Sequence, residues 1–291
     1  MSQRSSTPRL LVRSFAVFYG YGPIPTLDGY DLAIVEAAGW REGDLRALRA
    51  QGKRTLAYLS TLEATEAMIR EAGLVEEDFL KLDGRPWFLE GPRTYVCDPR
   101  SPRWQAYLED KVVALGRAGW TGFLLDGLGD IEHEKVARET GWLIPAAADL
   151  VRRIRNWARN GILVMNNGIW LLLPLVAPYL DGVVWETVGL DGRYGEPWVM
   201  ATVDRLAGVV RQHGVTPFLL TVVGPGSEDR SAVPHDGSRD PVPEEARLAA
   251  LERFARRYGL VLYAAPADYA LGIRSRQGKI VAGGQYWGQT T

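Results

Sequence analysis

The chain has 291 residues, of which 46% are hydrophobic, and this content is enough for one large core. Its 34 basic and 35 acidic side chains give a formal net charge of −1, so neither nucleic acid nor an anionic membrane is expected as a partner. The single cysteine, Cys97, excludes an intrachain disulfide and a cysteine-rich metal site. No apolar run approaches the roughly 20 residues that span a bilayer.

The first residues carry basic side chains, but they contain no clean apolar stretch that ends at a small-residue cleavage site. We therefore expect either a cytoplasmic protein or an exported protein whose signal has been removed. We predict an N-terminal extension over residues 1–14 and one catalytic domain over residues 15–291, which acts as a monomer.

The chain repeats one pattern, in which an amphipathic segment ends at a glycine and an apolar run follows within a few residues. This pattern is typical of a helix with a glycine C-cap that leads into a buried parallel strand. Eight strands that alternate with helices predict a single-domain α/β fold, the (β/α)8 TIM barrel. The eight candidate strands cover residues 15–18, 31–35, 54–59, 121–125, 162–165, 182–185, 216–223 and 260–263.

The connections between these strands refine the prediction. An open, doubly wound sheet is the alternative architecture, but no glycine-rich phosphate-binding sequence follows the first strand. The link over residues 20–30 is too short for a full helix, so we expect the barrel to be irregular near strands 1 and 2. Segment 224–242 follows strand 7, and it could be a substrate lid or cleft wall, or a surface insertion. Helices are expected over residues 102–118, 141–160, 196–213 and 243–258.

Two of the predicted strands end in a carboxylic acid. The apolar run Phe123-Leu124-Leu125 leads directly into Asp126, and glycines 127 and 129 are expected to let the backbone turn there. Strand 6 repeats the pattern, because its apolar run ends at Glu186. The carboxyl ends of the strands carry the active site in barrel enzymes. Two acids at such ends therefore predict acid/base or nucleophilic chemistry.

Polar and aromatic side chains are expected to surround these acids. The sequence has no basic cluster that could grip a phosphate and no Gly-x-Ser-x-Gly nucleophile motif. The remaining acids, amides, hydroxyls and aromatic rings suit a neutral, polyhydroxylated ligand, which indicates a sugar. The predicted substrate-binding residues are Tyr19, Glu36, Tyr58, Glu63, Asn166, Trp185, Thr221 and Tyr263.

Glycoside hydrolysis requires two carboxyl groups that flank the scissile bond. One group donates a proton to the leaving oxygen, and the other acts as a nucleophile or as the base that activates water. A separation of about 5–5.5 Å between the groups predicts retention of anomeric configuration, and about 6.5–9.5 Å predicts inversion. Asp126 and Glu186 could satisfy either geometry, and their spacing in the sequence does not choose between them.

Four segments occur in a characteristic order along the chain. They read Tyr-Leu-Ser-Thr-Leu-Glu at 58–63, Val-Cys-Asp-Pro-Arg-Ser-Pro-Arg at 96–103, an apolar run with Leu-Asp-x-x-x-Asp within 119–130, and Val-Trp-Glu at 184–186. Spread over residues 15–275, they resemble glycoside hydrolase family 114, which is typified by endo-α-1,4-polygalactosaminidase.

This resemblance implies a function and a catalytic pair. It marks Asp126 as the nucleophile and Glu186 as the acid/base, although the two roles could be exchanged. It implies retaining hydrolysis of a polysaccharide that contains α-linked (N-acetyl)galactosamine or a related amino sugar. No metal or organic cofactor is expected.

Two other interpretations remain open at this stage. The chain could be a catalytically inactive barrel that only binds carbohydrate. It could also be a metal-dependent hydrolase that uses Asp126, Asp130 and Glu132, although the spacing of these acids matches no standard metal site. Otherwise, Asp130 and Glu132 are expected to lie in a solvated loop or at the start of a helix.

Overall fold

A computed structural model describes residues 10–22, 27, 29–133, 136, 141–187, 193–223, 243–266, 269, 272–274 and 280–282. The segment 224–242, which was predicted to be a lid, a cleft wall or a surface insertion, lies outside the described residues.

The fold is the predicted (β/α)8 barrel. Its eight parallel strands follow one another around the sheet in chain order, and the first strand also contacts the last. We number them β1 (Phe15–Phe18), β2 (Leu32–Val35), β3 (Arg54–Ser60), β4 (Gly122–Asp126), β5 (Ile162–Asn166), β6 (Gly182–Glu186), β7 (Thr216–Val222) and β8 (Val261–Ala265).

The described residues also form seven α-helices. Four of them match the helices predicted from the sequence to within two residues at each end. The described part of the link between β1 and β2 contains no α-helix, which agrees with the predicted irregularity there. The helices are α1 (Glu42–Ala50), α2 (Glu66–Ala72), α3 (Pro102–Ala118), α4 (Leu143–Ala158), α5 (Leu173–Val176), α6 (Pro197–His213) and α7 (Glu244–Tyr258).

The chain divides into two compact units. One unit consists of residues 1–56 and 181–291, and the other consists of residues 57–180. In the first unit the core contains the ring of Phe15, which packs edge-on against Phe218 at 4.9 Å between centroids. In the second unit Trp104 of α3 is fully buried, and its indole N–H donates to the Thr61 carbonyl at 2.8 Å.

Residues 10–14, from the predicted N-terminal extension, belong to the first unit and are bonded to β7 within it. The Leu10 carbonyl accepts a hydrogen bond from the Thr216 hydroxyl at 2.8 Å, and Val12 is buried. The boundary at residue 15 between an extension and a catalytic domain stays a prediction.

The segment between β3 and α3 contains local structure that was not predicted from the sequence. It holds α2 and three small antiparallel pairings: Lys81–Leu82 with Arg85–Pro86, and Thr94–Val96 with Phe88–Leu89 on one side and with Glu63–Ala64 on the other. Asp83 and Gly84 have φ values of 50° and 76° and form the tight turn of the first pairing. Asp-Gly is a preferred sequence for such a turn, because both central residues need positive φ.

None of the helices formed by the described residues is both long and apolar enough to cross a membrane.

Gly122 gives a test of how closely β4 and β5 pack. A Cβ atom at this position would lie 2.0 Å from the Ile162 carbonyl oxygen, which is backbone and cannot move aside. We expect Gly122→Ala to lower the free energy of unfolding by about 3 kcal/mol, as measured by urea denaturation.

Gly116 in α3 is the matched control, because a Cβ atom there would meet nothing within 4 Å. Gly116→Ala should raise stability by about 0.5–1 kcal/mol through its better helix propensity. Equal effects of the two alanine substitutions would contradict the close approach of the strands.

Candidate active site

Asp126 is the last residue of β4, and its carboxylate is held from two sides. The Tyr58 hydroxyl on β3 donates to Oδ2 at 2.8 Å, and the Asn166 side-chain amide on β5 donates to Oδ1 at 2.9 Å. Asn166 is buried, whereas Tyr58 and Asp126 are half-buried. Both carboxylate oxygens are therefore fixed in direction by neutral donors from the neighbouring strands. All three residues were predicted from the sequence as members of the site.

The chain after Asp126 turns in the way that its glycines allow, but the two glycines act differently. Gly127 has φ 77°, which is the conformation that glycine adopts without strain. Gly129 also lies in a bend, but its φ of −70° is one that any residue adopts, so the backbone conformation there does not require glycine. Glycine is needed at position 129 because there is no room for a side chain: a Cβ atom there would lie 2.9 Å from the Cβ of Asn167. The chain therefore bends at both glycines, as expected, but only Gly127 has a backbone conformation that favours glycine.

Glu63 lies directly beside this turn. Its Oε2 accepts a hydrogen bond from the Thr94 hydroxyl at 2.6 Å. A Cβ atom on Gly127 would lie 3.1 Å from Oε1 of Glu63, so the absence of a side chain at 127 lets the carboxylate approach the backbone closely. The predicted substrate-binding residue Glu63 is therefore brought next to Asp126 by the fold of its own segment.

Asp130 was named from the sequence only as a metal ligand of the alternative interpretation, and its pairing with Glu63 was not predicted. It begins a short 3₁₀ helix, Asp130–Glu132, as expected, and it is half-buried rather than fully solvated. Burial, together with the charge of Glu63, a hydrogen bond to Glu63 and the charge of Asp126, raises the pKa of Asp130 to about 7. Burial and the two neighbouring acids thus favour the protonated form of the Asp130 carboxyl, which can donate its proton in a hydrogen bond to Glu63. The second acid of the Leu-Asp-x-x-x-Asp segment was the available signal.

Glu132 serves the backbone of a neighbouring turn. Its two carboxylate oxygens accept hydrogen bonds from the backbone N–H groups of Trp170, Leu171 and Leu172 at 2.7–3.0 Å. The part of the chain that the structure describes contains no group of three or more His, Cys, Asp or Glu side chains placed to hold a metal ion. The metal-dependent alternative therefore loses Glu132 as one of its three ligands.

Glu186 ends β6 in the other unit, where it pairs in register with Leu220 of β7. The preceding residue, Trp185, is only 5% exposed and packs against Trp198 of α6 and Phe254 of α7, at 6.2 and 6.4 Å between ring centroids. Successive side chains of a strand point to opposite faces. Because Trp185 faces the helices, Glu186 faces away from them.

The remaining predicted substrate-binding residues belong to the same unit as Glu186. Tyr19 is half-buried against the ring of Tyr269, and Glu36 accepts a bond from the Ala38 backbone N–H at 3.3 Å. Thr221 and Tyr263 are buried, and burial raises the pKa of the Tyr263 phenol. Substrate contact by these residues, as by Trp185, stays a prediction.

No protein-family model and no curated protein matches this chain. Solved structures that share its fold include glycoside hydrolases. The glycoside hydrolase domain of PelA from Pseudomonas aeruginosa has a TM-score of 0.67 at 23% identity, over 88% of this chain and 95% of that one. Ega3 from Aspergillus fumigatus, solved with galactosamine, has a TM-score of 0.68 at 12% identity, over 97% of this chain and 100% of that one.

A third similar structure is TtGalA, an alpha-galactosidase from Thermus thermophilus, with a TM-score of 0.52 at 14% identity. The alignment covers 90% of this chain and 61% of that one. At sequence identities this low, the similarity establishes the fold alone. The predicted resemblance to glycoside hydrolases is therefore confirmed at the level of the fold.

The raised pKa of Asp130 predicts a pH-dependent difference in stability. In the unfolded chain the carboxyl loses its proton near the ordinary aspartate pKa of 3.8, whereas in the folded protein it keeps the proton to about pH 7. Folding stability contributed by this group therefore falls as pH rises through this window. Asp130→Asn cannot ionise and keeps a donor to Glu63, so it should be the more stable protein at about pH 8, by on the order of 2 kcal/mol.

Urea denaturation of both proteins at about pH 4 and about pH 8 measures this difference, which should nearly vanish at the lower pH. Asp110→Asn, an exposed position on α3, is the control and should match the wild type at both values. A gain from Asp130→Asn that is the same at both pH values would contradict the shared proton.

Proposed function

We propose that the protein is a glycoside hydrolase that cleaves a polysaccharide containing α-linked galactosamine, N-acetylgalactosamine or a related amino sugar. The observation that carries the proposal is the carboxylate of Asp126, which ends a barrel strand and is oriented by the Tyr58 hydroxyl and the Asn166 amide. Nucleophilic acids of this kind need a fixed direction and an ionised form. Both donors bond to the carboxylate oxygens and so fix their direction.

In the proposed reaction Glu186 gives its proton to the glycosidic oxygen while Asp126 bonds to the anomeric carbon, and the leaving sugar departs as an alcohol. Glu186, now ionised, then takes a proton from water. The hydroxide oxygen attacks the anomeric carbon and releases Asp126 as a carboxylate. The two inversions give net retention, and the cycle consumes one water molecule and no cofactor.

The carboxyl groups beside Asp126 favour a substrate of a particular charge. Glu63, Asp126 and Asp130 place three acidic side chains in one partly buried space. Such a site attracts a sugar that bears an ammonium group and repels an anionic one. The similar structure of Ega3, which was solved with galactosamine, supports the same class of substrate.

Removal of either acid tests the proposed pair. Asp126→Asn and Glu186→Gln preserve side-chain size but remove the nucleophile or the acid/base, so each should lower kcat by roughly a thousandfold or more. Release of reducing ends from an α-1,4-linked galactosamine polymer measures the activity. Asp110→Asn should leave it unchanged, and near-normal turnover by either active-site variant would remove that residue from the mechanism.

The stereochemistry of the first product tests the separation of the two acids. Retention predicts that the newly formed reducing end is initially the α anomer, as observed by proton NMR before mutarotation. Initial release of the β anomer would instead establish an inverting reaction, and Asp126 would then act as the base that activates water.

A further inference from the structure

A cavity of about 370 Å³ lies between two loops of the unit formed by residues 57–180. One wall comes from the segment between β3 and α3, through Asp83, Trp87 and Phe88. The other wall comes from the chain after β4, through His133 and Val136. Its volume lies within the range of pockets that bind small ligands, about 300–1,000 Å³.

The aromatic wall of this cavity is firmly held. The Trp87 backbone N–H donates to the Leu80 carbonyl at 2.8 Å, and the Trp87 carbonyl accepts from the Val96 N–H at 2.9 Å. The ring of Phe88 packs against Tyr95 at 4.8 Å between centroids. The side chains of Trp87 and Phe88 remain half-buried, so part of each ring faces the cavity. A wall fixed by backbone bonds loses little freedom when a ligand binds.

Both walls belong to segments that leave the carboxyl ends of their strands. The segment with Trp87 follows β3 and also supplies Thr94, which bonds to Glu63. His133 closes the 3₁₀ helix that begins at Asp130. The cavity is therefore connected through short, hydrogen-bonded stretches of chain to the carboxyl groups beside Asp126. Another cavity of about 470 Å³ is instead lined by Thr121 and Gly161, which directly precede the amino ends of β4 and β5.

We propose that the cavity lined by Trp87 and Phe88 is a subsite for one pyranose unit of the polysaccharide, away from the bond that is cut. The proposal rests on the proposed function and names a second place where the substrate is held. The apolar face of a pyranose ring packs against aromatic side chains, and its hydroxyls suit the carboxylate of Asp83 and the imidazole of His133. This mixture of aromatic area and a few polar groups is typical of small-ligand sites.

A subsite of this kind makes catalysis depend on the length of the substrate. Only an oligosaccharide long enough to reach the cavity gains from contact with Trp87. Trp87→Ala should therefore lower kcat/KM for long α-1,4-linked galactosamine oligomers by roughly three- to tenfold and leave the shortest cleaved oligomer unaffected. Trp87→Phe keeps an aromatic surface and should retain most of the preference for long oligomers.

The matched control is Trp157→Ala, since Trp157 is also half-buried but lines the cavity at the opposite ends of the strands. It should leave the length dependence unchanged. A loss in Trp87→Ala that is equal for all lengths, or no loss at all, overturns the subsite while leaving the proposed hydrolysis intact. Thermal unfolding of each variant separates this result from a loss of fold.

Binding gives a test that does not require turnover. In an Asp126→Asn background, calorimetric titration with the same oligomers should show affinity that increases with length and that Trp87→Ala reduces for the long ones. Length-independent affinity overturns the subsite. Absence of hydrolysis by the wild-type protein, with length-dependent binding that needs Trp87, overturns the proposed function and keeps the subsite as a carbohydrate-binding site.

Discussion

The repulsion among three carboxyl groups constrains the candidate site more than any other interaction. Asp126, Glu63 and Asp130 occupy one partly buried space, where negative charges attract protons strongly. The repulsion is relieved because burial and the neighbouring acids raise the pKa of Asp130 to about 7, and its protonated carboxyl can donate to Glu63. The protonated form of Asp130 removes one negative charge from the group, while the Asp126 carboxylate is oriented by its two neutral donors. Aspartate thus accepts hydrogen bonds at position 126 and donates one at position 130.

The chain after β4 makes this crowding possible. Positive φ at Gly127 turns the backbone, and the missing side chain there admits Glu63 to within van der Waals contact of the turn. The 3₁₀ helix that follows presents Asp130 to Glu63, while Glu132 bonds to backbone N–H groups of the next loop. Each acid of this short stretch therefore has a separate task, and a substitution at one of them acts through different partners.

The sequence predicted the parts of this site that depend on local pattern. Asp126 follows an apolar strand, and Tyr58 and Asn166 occupy the ends of neighbouring strands, so barrel topology alone brings them together. The pairing of Asp130 with Glu63 depends on how two loops pack against each other, and the hydrophobic periodicity of the sequence does not predict such packing. The strands between β3 and α3 are two or three residues long, which is shorter than any pattern that reliably distinguishes strand from loop.

The small antiparallel sheet between β3 and α3 links the acids of the candidate active site to the proposed sugar subsite. Its strand Thr94–Val96 holds Glu63 through the Thr94 hydroxyl, and Phe88, on the strand paired with it, contributes to the wall of the cavity. A rigid pairing of these strands fixes the distance between the acid cluster and the aromatic wall. A polymer with one sugar unit in the proposed subsite would therefore always place the same glycosidic bond, counted from that unit, beside the carboxyl groups. Loops positioned by a scaffold commonly carry function for this reason, and here the loop supplies its own scaffold through backbone hydrogen bonds.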